Sequence, residues 1–173
     1  MAGYKNLLKS IKAFAFDVDG VFTDGLVYLF PGDEFVRSVN IKDGYAVQHA
    51  VKMNYPIAII SGGNSEGVVE RFRKLGVTDI YMGSSNKWDQ YEDFRMKYGF
   101  ENSEILYMGD DIPDYEIMKA AGVATCPKDA ATEIKEVAAY VSDRKGGEGC
   151  VRDVIEQVLR LNDDWLGDNS FEW

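Results

Sequence analysis

A chain of 173 residues, 46% hydrophobic and 13% aromatic, can bury one sizeable core but not two independent ones. Its net charge of −10 argues against nucleic acid and anionic membranes as partners, since both demand clustered cations. No apolar run approaches the roughly 20 residues of a membrane-spanning helix, and the opening MAGYKNLLKSIKAFAFDVDG has no signal-peptide core, so a cytoplasmic setting is expected.

In chain order, an apolar run at 13–18 ends in acids and reads as a strand buried on both faces; similar runs follow at 56–60, 79–82, 105–108, 123–126 and 139–141. Helical spacing fills the intervals at 45–53, 65–75, 87–98, 115–121, 131–137 and 151–161. One segment breaks the alternation: GLVYLFPGDEFVRSVN at 25–40 sets two β-rich runs around a Pro-Gly-Asp-Glu turn and reads as a hairpin. The expected architecture is α/β, a Rossmann-like parallel sheet with helices on both faces, a small hairpin flap and no cap domain. One domain spans 1–161, with the flap at 25–40. The acidic tail 162–173 carries Trp165, Phe171 and Trp173 and is either mobile or docked on a partner.

In such a sheet, ligands bind beyond the carboxyl ends of the strands, and three strand ends here are polar. They read Asp17-Val18-Asp19-Gly20, Ser61-Gly62-Gly63 and Gly109-Asp110-Asp111-Ile112-Pro113-Asp114. Residues two apart on a strand face the same way, so Asp17 and Asp19 project together. Carboxylates crowded into one volume raise one another's pKa or demand a cation. His49, the only histidine, cannot build a histidine-rich metal centre and reads as an ordinary helix residue. Oxygen ligands and a hard divalent ion remain, magnesium being the usual choice beside a phosphate, with Asp110 the first choice as further ligand. Any one acidic loop end also fits a cap or a solvated charge, but three together do not. Cys126 and Cys150 read as buried or inert thiols.

The segment DVDGVFTDG, the apolar run into Ser61, the isolated Lys87 and GDDIPD resemble, in order, the four motifs of the haloacid dehalogenase superfamily of phosphotransferases. NIKDGYAV, SSNKW, GDDIPDYEIM and GGEGCVRD bring the chain near that superfamily's capless branch and its 3-deoxy-D-manno-octulosonate 8-phosphate (KDO 8-phosphate) phosphatases of lipopolysaccharide sugar synthesis. The resemblance implies a magnesium-dependent phosphatase for a small anionic sugar phosphate. Asp17 would be the nucleophile and Asp19 the general acid and base. Ser61, Gly62 and Lys87 would bind phosphate, the Asp17 side chain, the Asp19 carbonyl and Asp110 would hold magnesium, and Asp111 and Asp114 would support them. It also implies a homotetramer in which the flap helps assemble the site, the alternate residues Leu26, Tyr28 and Phe30 forming its contact face.

For the substrate's carboxylate, Arg71 and Lys74 share a helix face, with Asp43 and Gly63 nearby as weaker candidates. Glu70 also stands four residues before Lys74, as in a solvated ion pair. Relatives commonly carry a long charged residue after the Ser/Thr-Gly of the second motif, where this chain has Gly63 and Asn64. Asp24 either supports the site or caps the hairpin, and the 146–149 glycine loop is either a plain turn or a neighbour of the pocket. The competing readings are a phosphatase for a nine-carbon keto-acid sugar phosphate and, from another class, a catalytically silent oligomeric module of a sugar-nucleotide enzyme.

Overall fold

The computed structural model describes residues 2–31 and 35–166. It runs α1 (Ala2–Leu8), β1 (Ala13–Phe16), β2 (Tyr28–Leu29), β3 (Phe35–Val36), α2 (Ile41–Lys52), β4 (Ile57–Ile60), α3 (Glu66–Lys74) and β5 (Asp79–Tyr81). It continues α4 (Lys87–Tyr98), β6 (Ile105–Met108), α5 (Tyr115–Ala120), β7 (Val123–Cys126), α6 (Thr132–Val137), β8 (Tyr140–Val141) and α7 (Cys150–Leu161). Six strands form one parallel sheet in the order β5-β4-β1-β6-β7-β8. The chain builds outward from β1 to β5, then crosses back over β1 to lay β6 on its other side. That reversal opens a crevice at the carboxyl ends of β1 and β6, where open α/β sheets bind ligands.

Strand alternation sorts β1 between two cores. Phe14 and Phe16 face one with Ala46, Val47, Phe72 and the apolar stripe of α7, while Ala13 and Ala15 face the other with Tyr91, Phe94 and Tyr107. The alanines leave room for those large rings, so the helices of that face pack close to the sheet. Both β1 neighbours are buried as well, which is why these strands read as unbroken apolar runs.

Local chemistry fixes the helix starts. Asn40 accepts from Lys42 N–H and begins α2 before the expected residue 45; Ser65 accepts from Val68 N–H, and Asn86 from Trp88 N–H. α1 was not expected, being short; its Leu8 is fully buried in the first core. Among the described residues the flap pairs Tyr28 with Val36 and Leu29 with Phe35, antiparallel. Its expected contact face is not single-sided, for Leu26 through Phe30 are all exposed. The 32–34 part of the turn lies outside the described residues.

Asp24 Oδ1 accepts from Leu26 N–H, which makes it a cap of the flap's start. His49 is buried on α2 and its Nε2–H donates to the Asp164 carbonyl. Trp165 closes edge-on over the His49 and Tyr45 rings, so the tail's beginning docks on its own domain; Phe171 and Trp173 lie outside the described residues. Cys126 and Cys150 are free and buried. Among the described residues no helix is long and apolar enough to cross a membrane.

Candidate active site

Asp17 extends β1 by one residue, its N–H donating to the Met108 carbonyl at 3.0 Å. The chain then turns at once: Val21, Phe22 and Thr23 N–H all approach the Val18 carbonyl, and Thr23 Oγ1 accepts from Gly20 and Gly25 N–H. Gly20 carries this turn at φ +84°, and a Cβ there would stand 2.0 Å from Asp110 Oδ2. Only glycine lets the two acidic loops approach so closely.

Lys87 opens α4, where the helix's positive end disfavours a cation. It is nevertheless buried, because its Nζ reaches Asp17 Oδ1 at 2.9 Å and Asp114 Oδ1 at 2.7 Å. Burial works against the ammonium, yet Asp17 and Asp114 together hold its pKa above the usual lysine value. Burial, then the Asp114 charge, push Asp17 well above the carboxylate range, with Lys87 opposing. The same two causes raise Asp110 to about 6.

Oxygens of Asp17, Asp110 and Asp114 all lie within 4.8 Å of one another. Asp114 is the wrong member for a metal. Its Oδ1 already accepts from Lys87 Nζ and from the Tyr107 hydroxyl at 2.6 Å, and its Oδ2 from Asp110 N–H at 3.1 Å. It is an anchor that aims Lys87 and braces the Asp110 loop. Asp17 and Asp110 keep free lone pairs, crowded and hydrogen-bonded too little to offset their charge, so this all-oxygen pair fits a hard divalent cation.

Asp111 Oδ1 accepts from Ile112 N–H and caps the turn that carries Asp114. Ser61 is buried at the end of β4, its Oγ accepting from Gly63 N–H at 3.1 Å, with Gly62 exposed between them. Asp19 stands beside this loop, and the residue touching it is one that motif reading missed. Arg37, beyond β3, donates from Nε to Asp19 Oδ1 at 2.6 Å and from Nη2 to Oδ2 at 3.1 Å. The available signal was that Arg37 is the only cation between residues 25 and 40.

Within the single subunit, Arg71 and Lys74 take different partners. Lys74 Nζ pairs with Glu70 at 2.6 Å, and the Arg71 guanidinium lies against α2, where a Cβ on Gly44 would stand 2.4 Å from Nη2. An open cleft of about 780 Å³ is lined by Asn64, Ser65, Arg73 and Lys74, and not by Arg71. Asp43 is fully buried: its Oδ1 accepts from Arg152 N–H at the start of α7 and its Oδ2 has no hydrogen-bond partner. Burial raises its pKa to about 6. The 146–149 loop does reach the site, since Gly147 N–H donates to Val21 carbonyl at 2.9 Å and a Cβ on Gly146 would strike the Gly20 carbonyl.

Residues 71–154 match the family model described as haloacid dehalogenase-like hydrolase. The chain is 34% identical over 151 residues to the 3-deoxy-D-manno-octulosonate 8-phosphate phosphatase of Salmonella typhi, covering 87% of this chain and 80% of that one. Among solved structures, the phosphatase of that name from Yersinia pestis superposes with TM-score 0.90 at 30% identity, covering 93% of this chain and 87% of that one. Its counterpart from Moraxella catarrhalis, in complex with magnesium, phosphate and KDO, gives 0.89 at 31% identity, with 92% of each chain covered. Sharing about a third of its residues with these relatives over most of both chains, and their fold, the chain belongs to the haloacid dehalogenase-like hydrolases, in the family of the 3-deoxy-D-manno-octulosonate 8-phosphate phosphatases.

Proposed function

We propose that the protein is a magnesium-dependent phosphoric monoester hydrolase that converts KDO 8-phosphate to the free sugar acid and inorganic phosphate. The observation that carries the reading is the buried Asp17–Lys87–Asp114 array beside Asp110, at the crevice between β1 and β6. An oligomeric module without chemistry has no use for a lysine held at a helix N-terminus by two buried carboxylates. The relatives' substrate supplies the sugar.

Asp17 attacks phosphorus while the bond from phosphorus to the sugar oxygen breaks, leaving an aspartyl phosphate. Asp19 gives its proton to the departing oxygen, then takes one from the water that cleaves the aspartyl phosphate and restores Asp17. Lys87 spends two of its three N–H donors on Asp17 and Asp114, leaving one for a phosphoryl oxygen, with Ser61 Oγ and the Gly62 amide as further donors. Asp17, Asp110 and the Asp19 carbonyl would hold magnesium, which would supply positive charge between anionic nucleophile and anionic substrate. Asp111 and Asp114 fix the loop that presents Asp110.

The exposed Leu26–Phe30 run on a flap bordering the site supports a homotetramer in which one subunit's flap completes a neighbour's site. Free cysteines and a small anionic substrate suit a cytoplasmic setting. The test is phosphate release from KDO 8-phosphate, a nine-carbon keto-acid sugar phosphate and p-nitrophenyl phosphate, before and after chelation. The expected result is the highest kcat/KM for the eight-carbon substrate, loss on chelation, return with magnesium and inhibition by calcium. Full activity after exhaustive chelation, or equal efficiency on all three esters, would overturn the reading.

A further inference from the structure

The flap is inverted with respect to solvent. Its apolar side chains Leu29, Phe30 and Phe35 are exposed, whereas its one cation, Arg37, turns inward until its side chain is only 10% exposed. An ordinary surface hairpin does the reverse, burying apolar groups and solvating charge. Something other than burial of apolar area therefore holds the guanidinium where it is. All three of its nitrogens are committed: Nε and Nη2 grip both oxygens of Asp19, and Nη1 donates to the Phe35 carbonyl at 3.2 Å. The last bond fixes the direction of the fork, and the first two fix the plane of the carboxylate.

Room for this clasp comes from Gly63. A Cβ at that position would lie 3.1 Å from Arg37 Nη2, 3.3 Å from Asp19 Oδ2 and 3.6 Å from Ser61 Oγ. One point therefore touches the flap cation, the acid/base carboxylate and the phosphate-binding hydroxyl, and the backbone there has no side chain. The Asp19 side chain keeps 37% of its surface open, so the clasp orients it without sealing it off.

We propose that Arg37 is a positioning residue for the reaction: through its two-pronged bond to the ionised Asp19 it aligns that carboxylate for the base step, in which Asp19 takes the proton of the hydrolytic water, and Gly63 is the vacancy that admits it. The assignment rests on the phosphatase reading above. It makes the flap part of the catalytic apparatus of its own subunit, apart from any role in assembly.

The test combines kinetics and stability on the full chain. Arg37→Ala should lower kcat on KDO 8-phosphate about 10- to 100-fold with KM little changed, the signature of misalignment rather than lost substrate binding. Arg37→Lys keeps the charge, loses the fork and should recover little, while guanidinium ion added to Arg37→Ala should restore part of kcat. Gly63→Ala should fall in the same direction, and the double variant should be no slower than Arg37→Ala, because both changes break one contact. Independently of activity, thermal unfolding of Asp19→Asn, Arg37→Ala and their double variant should be non-additive. An active wild type matched within twofold by Arg37→Ala sinks the inference alone, as does additive melting. A wild type that releases no phosphate sinks the phosphatase reading and this inference with it.

Discussion

Gly20→Ala separates the cost of backbone strain from the cost of a displaced ligand. At φ +84°, an alanine is strained by about 1–2 kcal/mol, which in a domain of this size lowers Tm by roughly 2–8 °C. The new Cβ would also stand 2.0 Å from Asp110 Oδ2, well inside contact distance, so that oxygen must retreat by roughly 1 Å or more. Asp110 ends a side chain and can rotate, so the clash adds little to the stability loss. It removes a carboxylate from the position a small octahedral cation would require, and a misplacement of that size costs on the order of 100-fold in rate. Gly99→Ala is the control: its φ is +68° and nothing lies within 4 Å of its added Cβ, so it bears similar strain far from the chemistry. Thermal melts and magnesium titrations of activity on both variants make the comparison. The expected result is similar Tm losses, with kcat/KM reduced and half-activation moved to higher magnesium only in Gly20→Ala. Equal activity in the two variants, or an unmoved magnesium titration, would refute the placing of Asp110 at the metal.

Asp17→Asn should abolish turnover while the fold survives, since the amide is nearly isosteric and a far poorer nucleophile; phosphate release above background in that variant would refute the nucleophile. Asp114→Asn should cost both activity and about 3–5 kcal/mol in urea unfolding, because an amide NH₂ would meet the Asp110 N–H and Lys87 would lose a buried partner; a loss below 1 kcal/mol would show that Asp114 is not the anchor. For Asp43, burial lifts the folded-state carboxyl to about 6 from 3.8, so the folded chain keeps a proton that the unfolded chain has already released. Its contribution to stability therefore falls as pH rises between 4 and 6, by roughly 3 kcal/mol in all, and stays flat above that window. Asp43→Asn does not titrate there, so the stability of wild type minus variant should decline over that range in urea denaturation, and a constant difference would refute it. Leu29→Asp on the flap should shift light scattering from a tetramer to smaller species at unchanged far-ultraviolet dichroism, whereas a fully active wild-type monomer would remove the assembly reading.

The sheet was legible because strands buried on both faces leave unbroken apolar runs, and the acids were legible because they end those runs. What each acid does was not. Asp110, Asp111 and Asp114 lie within five residues, and nothing in their spacing tells a metal ligand from a turn cap or a lysine anchor; that depends on which oxygens Tyr107 and Lys87 reach across the sheet. The partners of Arg71 and Lys74 were hidden for a related reason. Helical spacing gives a shared face but not what packs against it, and here α2 takes Arg71 while Glu70 takes Lys74. Arg37 escaped because its partner, Asp19, is 18 residues away through a flap whose side chains run against the usual inside-outside rule.

The contact between the 146–149 loop and the first acidic turn orders events in time. Asp17, Asp19, Ser61, Lys87, Asp110 and Asp114 all precede residue 115, yet the turn bearing the first two is braced by Gly147 N–H and Cys150 Sγ, both donating to the Val21 carbonyl, and by the bare backbone of Gly146. Domains fold as units while synthesis proceeds from the N-terminus. A nascent chain that has exposed every reactive group therefore still lacks the 146–150 segment that braces the turn bearing Asp17 and Asp19, and the site takes its full shape only once the start of α7 has been made.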